Sequence, residues 1–235
     1  RMLLQRVNDL PEYVRYVRQN PDEARALHDD ILIQVTGFFR DPEGFEALKQ
    51  SVFPNLVTER PREEPIRIWV AGCATGEEAY SLVISLMEFL GQQDSNPPIQ
   101  LFATDLSAAA VARARAGTFP ASIENEVSPD RLRRFFVKSD GRYQISKAIR
   151  DACVFARHDA TRDPPFSKLD LISCRNLLIY LDPLAQARVF EVLGFALMPH
   201  GRLFLGVSES VEDGNPHFRV LDKKHRIYAR RDVPI

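Results

Sequence analysis

The chain reads as an α/β protein: a parallel sheet with helices on both faces, preceded by a small all-helical domain and interrupted by a small β-subdomain. Three observations predict this. From Ile66 onward, short apolar runs alternate with helical periods, the pattern of a parallel sheet. The first run, Ile66 to Ala71, passes into Gly72 and Gly76 and then into an acidic helix start at Glu77-Glu78. A buried strand, a tight glycine turn and a helix start together make a ligand crevice. Asp105 closes the next run, Ile99 to Thr104, and sets a carboxylate at a second strand end.

Taken in order, residues 1–60 read as helices. Leu3, Val7, Leu10, Val14 and Val17 recur at helical steps, with Pro11 expected to separate two short helices. A further helix is predicted from about Asp22 through Leu27, Ile31 and Val35. Asp41-Pro42 reads as an N-cap and first position for a helix through Phe45, Leu48 and Phe53. The polar, Pro-punctuated stretch Arg60 to Pro65 is taken as the domain boundary, giving a helical domain over 1–60 and a second domain over 61–235. Strands are then predicted over 66–71, 99–104, 169–174 and 202–207, and helices over 76–90, 107–116 and 183–198. Residues 118–157 break the alternation with a helix from Pro129 to Val137 and a hairpin pairing Tyr143–Ile145 with Cys153–Phe155. They are read as the inserted subdomain. Phe218–Leu221 and Arg226–Ala229 flank a short turn and must run antiparallel.

Composition narrows the function classes. The 235 residues are 45% hydrophobic with a net charge of -1, an ordinary globular balance with no global field to favour nucleic acid or membrane. No apolar run approaches the roughly 18 residues that span a bilayer. Cys73, Cys153 and Cys174 are odd in number and widely spaced, so neither a disulfide framework nor a metal-binding pair is expected, and a reducing cytoplasm is the natural setting. The five histidines form no i,i+4 pair, and no metal site is predicted. The chain opens at Arg1 rather than Met, so it is expected to be a fragment with a truncated helical domain.

The ligand class follows from the helix start. Bare N–H groups there would suit a pyrophosphate. Glu77 and Glu78 would repel phosphate and favour a cation, as the helix macrodipole favours their carboxylates. S-adenosylmethionine offers an ammonium, a sulfonium and a ribose without phosphate. Asp105, thirty-three residues after Gly72, can take both ribose hydroxyls, and it can also serve only to cap the following helix. Arg175-Asn176 follow the apolar strand 169–174, where polar groups are costly without partners and face the crevice. Tyr180 stands nearby, as either a site residue or plain packing. Arg40 reads from pattern alone as a helix-terminal surface residue as readily as a ligand. Residues 130–150 carry seven Lys or Arg against two Asp, which favours contact with an acidic protein surface over nucleic acid.

Thr36-Gly37-Phe38-Phe39-Arg40, Gly72-Cys73-Ala74-Thr75-Gly76-Glu77-Glu78, Ala103-Thr104-Asp105, Cys174-Arg175-Asn176 and Gly206-Val207-Ser208-Glu209-Ser210 occur in an order that resembles the CheR family. These are S-adenosylmethionine-dependent O-methyltransferases acting on glutamates of chemotaxis receptors, with a Rossmann-like sheet. Ile149-Arg150-Asp151 and Arg162 to Phe166 look most like the methyltransferase part of larger CheB/CheR fusion proteins. The resemblance implies that Thr36, Arg40, Glu77, Asp105 and Asn176 line the cofactor pocket, to which the glycine turn and the strand end already assign Gly72 and Arg175. Gln34 stands where many relatives carry Asn, and Asp159-Ala160 where many carry Asn-Leu; both positions belong to the same implied pocket. Arg40 and Arg175 are expected to hold charge near the reacting centre, with Tyr180 at its edge. The implied partners are receptor cytoplasmic helices, met by a monomer. The short link Lys138 to Arg142 predicts independence from a receptor C-terminal pentapeptide. The competing function is a non-catalytic module that binds the cofactor or a partner within a signalling array.

Overall fold

A computed structural model of the chain describes residues 1–7, 9–31, 36–58, 61, 63–93 and 97–231. Gln34 and Val35 lie outside the described residues. The chain divides into two compact units, Arg1–Val35 and Thr36–Ile235.

In the first unit, α1 (Leu10–Gln19) is capped by Asp9, whose side chain accepts from the Glu12 N–H. Pro11 sits in its first turn, where a missing N–H costs nothing. The helix expected ahead of Pro11 does not form: residues 2–6 are turns, and Leu3 and Leu4 are exposed. α2 spans Pro21–Ile31. Glu23 is buried and accepts hydrogen bonds from Arg1, Gln5 and the Tyr13 hydroxyl.

The second unit begins upstream of the expected boundary at 60–65, because α3 (Pro42–Ser51) and α4 (Phe53–Thr58) pack on the sheet. The expected single helix is split at Val52, with Pro54 placed in the first turn of α4. The following elements are β1 (Ile66–Ala71), α5 (Glu77–Leu90), β2 (Ile99–Asp105) and α6 (Ala108–Ala116), close to their predicted limits. The insertion then contributes β3 (Thr118–Pro120), α7 (Pro129–Phe135), β4 (Phe136–Ser139), β5 (Arg142–Ile145) and α8 (Lys147–Asp151). After β6 (Cys153–Arg157) come β7 (Leu169–Cys174), α9 (Pro183–Ala196), β8 (Leu197–Leu205), β9 (Phe218–Asp222) and β10 (Ile227–Arg230).

Among the described residues the main sheet has seven strands in the order β6-β2-β1-β7-β8-β10-β9. β6 through β8 are parallel, and β10 and β9 close the edge antiparallel, as their short turn requires. One expectation is corrected here. Cys153–Arg157 does not pair with Tyr143–Ile145; it returns to the main sheet as the edge strand beside β2. The hairpin partner of β5 is β4, joined through Asp140 and Gly141 at φ 51° and 71°, the two left-handed residues of a tight hairpin turn.

Residues alternate between two cores across the sheet. Ile66, Ile68, Val70 and Leu171 join α3, α4, α5 and the insertion on one face, while Trp69, Ala71, Ile172 and Cys174 join α9 on the other. The strand order reverses between β1 and β7. Open α/β sheets bind ligands at such a switch point, outside the carboxyl ends of the strands.

Candidate functional site

The crevice is built at the carboxyl ends of β1, β2, β6 and β7. The N–H groups of Gly72 and Cys73 both donate to the Thr104 carbonyl, tying the glycine turn to the end of β2. Gly72 and Gly76 have φ 76° and 99°. At Gly76 an added Cβ would stand 3.0 Å from Ala114 Cβ, so both conformation and space require glycine.

Asp105 is the hinge of this wall. Its Oδ2 accepts from the Ala74 N–H at 2.9 Å and its Oδ1 from the Ser107 N–H at 2.8 Å. The cap of α6 is Ser107 rather than Asp105, since the Ser107 hydroxyl accepts from the Ala110 N–H. Each Asp105 oxygen keeps a second lone pair for a hydroxyl. Asp159 and Ala160 follow the end of β6 directly beside it, for the His158 N–H donates to the Asp105 carbonyl at 3.1 Å. Asp159 Oδ1 is committed to its own turn through Thr161, and Oδ2 faces Arg162 at 3.8 Å.

The two glutamates part company. Glu77 is half-buried, accepts from the Thr75 hydroxyl at 2.7 Å, and has its carboxyl pushed above the usual range by burial. Glu78 turns toward the sheet, where it accepts from Ser173 Oγ at 2.7 Å and faces the Arg175 guanidinium at 3.6 Å. Burial raises its carboxyl too, against the pull of Arg175. Only one of the adjacent pair is therefore available to a cation in the crevice.

Arg175 also departs from its expected place in the crevice wall. Its side chain is 1% exposed, with the guanidinium over the rings of Phe204 and Phe45. Its Nη2 donates to the Arg40 carbonyl at 2.9 Å and to Asp41 Oδ2 at 2.8 Å. Asp41 thus forms no side-chain cap on α3 and stands at φ 57°. A cap contributes about 1 kcal/mol, whereas leaving a buried charge unpaired costs about 3–5 kcal/mol, so the ion pair wins the carboxylate.

The segment before it, Thr36–Asp41, is pinned from several sides. The Phe38 N–H donates to Glu126, and the Phe39 N–H to the Ser81 hydroxyl. The Phe38 ring meets Phe119 and Phe136 of the insertion edge-on, and Arg131 lies 3.8 Å over the Phe39 ring. Arg40 itself is exposed, and its charge reaches Glu78. Asn176 adopts φ 57°; its N–H, with those of Leu178 and Gly206, donates to the buried Glu209 carboxylate. Tyr180 is 57% exposed on the turn Leu178–Tyr180, outside this polar network.

Gly72, Glu77 and Asp105 therefore stand together at the ends of β1 and β2, Asn176 follows the end of β7, and the segment before Asp41 is tied to α5 through the Phe39 N–H and Ser81. Arg175 lies behind the crevice, Tyr180 at the surface, and Gln34 outside the described residues. Sequence reasoning missed Glu209, Glu78 and Asp41 as organisers of the site. The Gly206 to Ser210 motif contained Glu209, yet nothing local tells a carboxylate that collects three N–H groups from one that faces water. The basic stretch 130–150 is largely consumed by structure. Arg131 pairs with Glu88, Arg133 and Arg134 with Asp130, Lys138 with Glu124 and Lys147 with Asp151.

The donor set fits a cationic nucleoside without phosphate: Asp105 offers free acceptor lone pairs at a strand end, and Glu77 a carboxylate at the helix start. The comparisons agree. A protein-family model described as CheR methyltransferase, SAM binding domain, matches residues 34–227. The chain is 33% identical over 225 residues to chemotaxis protein methyltransferase 1 of Pseudomonas aeruginosa, covering 92% of this chain and 81% of that one. It is 34% identical over 217 residues to chemotaxis protein methyltransferase 2 of Vibrio cholerae, covering 88% and 74%. It is also 39% identical over 228 residues to an uncharacterized 104.1 kDa protein of Rhodobacter capsulatus, covering 97% of this chain but spanning only 24% of that protein. The family match, the strand order and the acidic, phosphate-averse crevice coincide, and the chain belongs to the CheR methyltransferase family, with S-adenosylmethionine as its cofactor.

Proposed function

We propose that the chain transfers a methyl group from S-adenosylmethionine to glutamate side chains on the cytoplasmic helices of chemotaxis receptors, forming methyl esters. What supports this reading is the family match together with Glu77 at the start of α5 and Asp105 at the end of β2, beside the switch point of the sheet. When bound, the cofactor supplies an electrophilic methyl on a sulfonium. The acceptor carboxylate is already ionised at pH 7, so the protein need not remove a proton. Its work is alignment and exclusion of water, which together contribute up to about 7–11 kcal/mol in well-oriented systems.

In this reading Asp105 accepts the ribose hydroxyls, Glu77 faces the cationic end, and Gly72 lets the backbone approach. Thr36, Asp159, Ala160 and Asn176 complete the cofactor wall. Arg40 attracts the acceptor carboxylate toward the reacting centre, with Tyr180 at its edge. Held there, the cofactor would supply its methyl to the acceptor carboxylate drawn in by Arg40, and the ester would remove one negative charge from the receptor.

Two finer statements belong to the same proposal. The insertion acts without a receptor pentapeptide, which its two-residue turn at Asp140-Gly141 supports; micromolar binding of such a peptide in calorimetry would overturn it. The protein works in the cytoplasm as a monomer. Its cysteines support that compartment, for Cys73, Cys153 and Cys174 are free thiols, and burial pushes Cys153 up to about 12.

The deciding experiment mixes the chain with methyl-labelled cofactor and receptor cytoplasmic fragments. Base-labile label on receptor glutamates is the expected result. Tight cofactor binding with no transfer would replace the reading with a non-catalytic sensing module.

A further inference from the structure

Arg175 combines full burial with hydrogen bonds that all run to one neighbouring segment. The side chain is 1% exposed, and its charged end is turned to protein partners. One nitrogen, Nη2, binds both the Arg40 carbonyl and the Asp41 carboxylate, 135 and 134 residues away in the chain. Nη1 faces Glu78, itself anchored by Ser173 on β7, while Nε and Nη1 make no hydrogen bond. The guanidinium lies 4.7 Å from the Phe204 ring centre and 5.5 Å from that of Phe45.

The corner that it grips needs a restraint. Phe39 and Asp41 stand at φ 51° and 57°, where a residue with a Cβ is strained. Packing restrains Phe39, which is buried against Phe45 and Arg131, but on the Asp41 side a cavity of about 380 Å³ lies against Asp41, Pro42, Gly44 and Arg175. Arg40 sits between the two strained residues, so its backbone direction is set by whatever holds them.

We propose that Arg175, backed by Glu78 and paired with Asp41, is a positioning residue: a buried strut that fixes the Arg40–Asp41 corner to the sheet and thereby sets where the Arg40 side chain stands over the crevice. It acts through Arg40 and touches neither cofactor nor acceptor. Its catalytic consequence rests on the methyl-transfer reading above; its mechanical part does not.

The test uses the full chain and Asp41→Gly, since glycine accepts φ 57° without strain and only the carboxylate grip is lost. Arg175→Lys, which keeps the charge but not the planar fork, is the second variant. The strut predicts an Asp41→Gly protein that still folds cooperatively, with a melting temperature lowered by the loss of the buried ion pair, and that loses about 10- to 100-fold in kcat, the scale of a small misplacement near the reacting atoms. Combined with Arg40→Ala, Asp41→Gly should cost nothing further, in kcat or in S-adenosylhomocysteine affinity. Hydrogen exchange at the Phe38 and Phe39 amides should quicken in both variants while β1 and β7 stay protected. Losses that add to those of Arg40→Ala would show direct action and overturn the strut. So would unchanged exchange at Phe38 and Phe39. If the wild type labels no receptor fragment, the methyl-transfer reading falls, while the exchange and affinity measurements still judge the strut.

Discussion

The turn from Gly72 to Gly76 and the corner from Phe39 to Asp41 both place backbone in the left-handed region, at φ 76°, 45° and 99° in the first and 51° and 57° in the second. They reach it by different means. The first uses glycine at two of three positions, and the third, Ala74, is steadied by one hydrogen bond to Asp105. The second uses Phe and Asp, held by Ser81, Glu126 and Arg175 from far along the chain. One corner is encoded in its own residues, while the other is imposed by its surroundings. An imposed corner can be released by a distant change, which suits a segment that must aim Arg40. An encoded corner depends chiefly on its own residues, with Thr104 and Asp105 as its outside partners, which suits the part proposed to cradle the cofactor.

The largest effect should come where the encoded corner meets the ligand. Asp105→Ala removes the acceptor of the Ala74 and Ser107 N–H groups together with the ribose carboxylate. Hydrogen bonds to a charged group contribute about 1.5–3 kcal/mol, so S-adenosylhomocysteine affinity in calorimetry should fall by about 10- to 100-fold. An unchanged affinity would remove Asp105 from the pocket. Gly76→Ala adds left-handed strain and a 3.0 Å contact with Ala114 Cβ, and thermal or urea unfolding should show a loss of about 2–3 kcal/mol. Gly72→Ala meets only ordinary contacts, at 3.4 Å and beyond from Leu177, so it should cost about 1 kcal/mol by the same measurement. Equal losses at the two glycines would mean that space, as opposed to conformation, plays no part.

The smallest effect lies in the first unit, as a control outside both corners. Arg1, with Tyr13 and Gln5, holds the Glu23 carboxyl down at about 2, against an ordinary value of 4.5. A lowered carboxylate contributes stability above its unfolded value and loses it as the pH falls toward the folded one. Stability of this unit should therefore decline between about pH 4.5 and pH 2. Glu23→Gln should flatten that slope, as read by circular dichroism across the range, and leave cofactor affinity unchanged.

Much of this was legible along the chain. Apolar runs bounded by glycine and proline marked β1, β2 and β7 because a strand buried on both faces must be apolar throughout. Gly72, Gly76 and Asp105 announced the crevice because few residues can occupy a tight strand–helix turn. The Asp140-Gly141 turn is equally local, but its first strand is hidden, because Phe136 and Val137 continue the apolar spacing of the helix from Pro129 and read as its last turn. Neither β4 nor β6 carries a residue pattern that names its partner.

The chain by itself determined the α/β alternation, the glycine turn, the acidic helix start and hence the class of ligand, since each depends on residues within one or two turns of one another. The tertiary structure decided which acids serve the ligand and which serve the frame. Glu77 and Glu78 are adjacent, yet successive side chains on a helix point about 100° apart, and packing of α5 on the sheet sends one to the crevice and the other to Arg175. Asp41 looked like a helix cap until a buried guanidinium competed for it. Such choices are settled by the cost of burying charge, and that cost exists only once distant segments have closed over it.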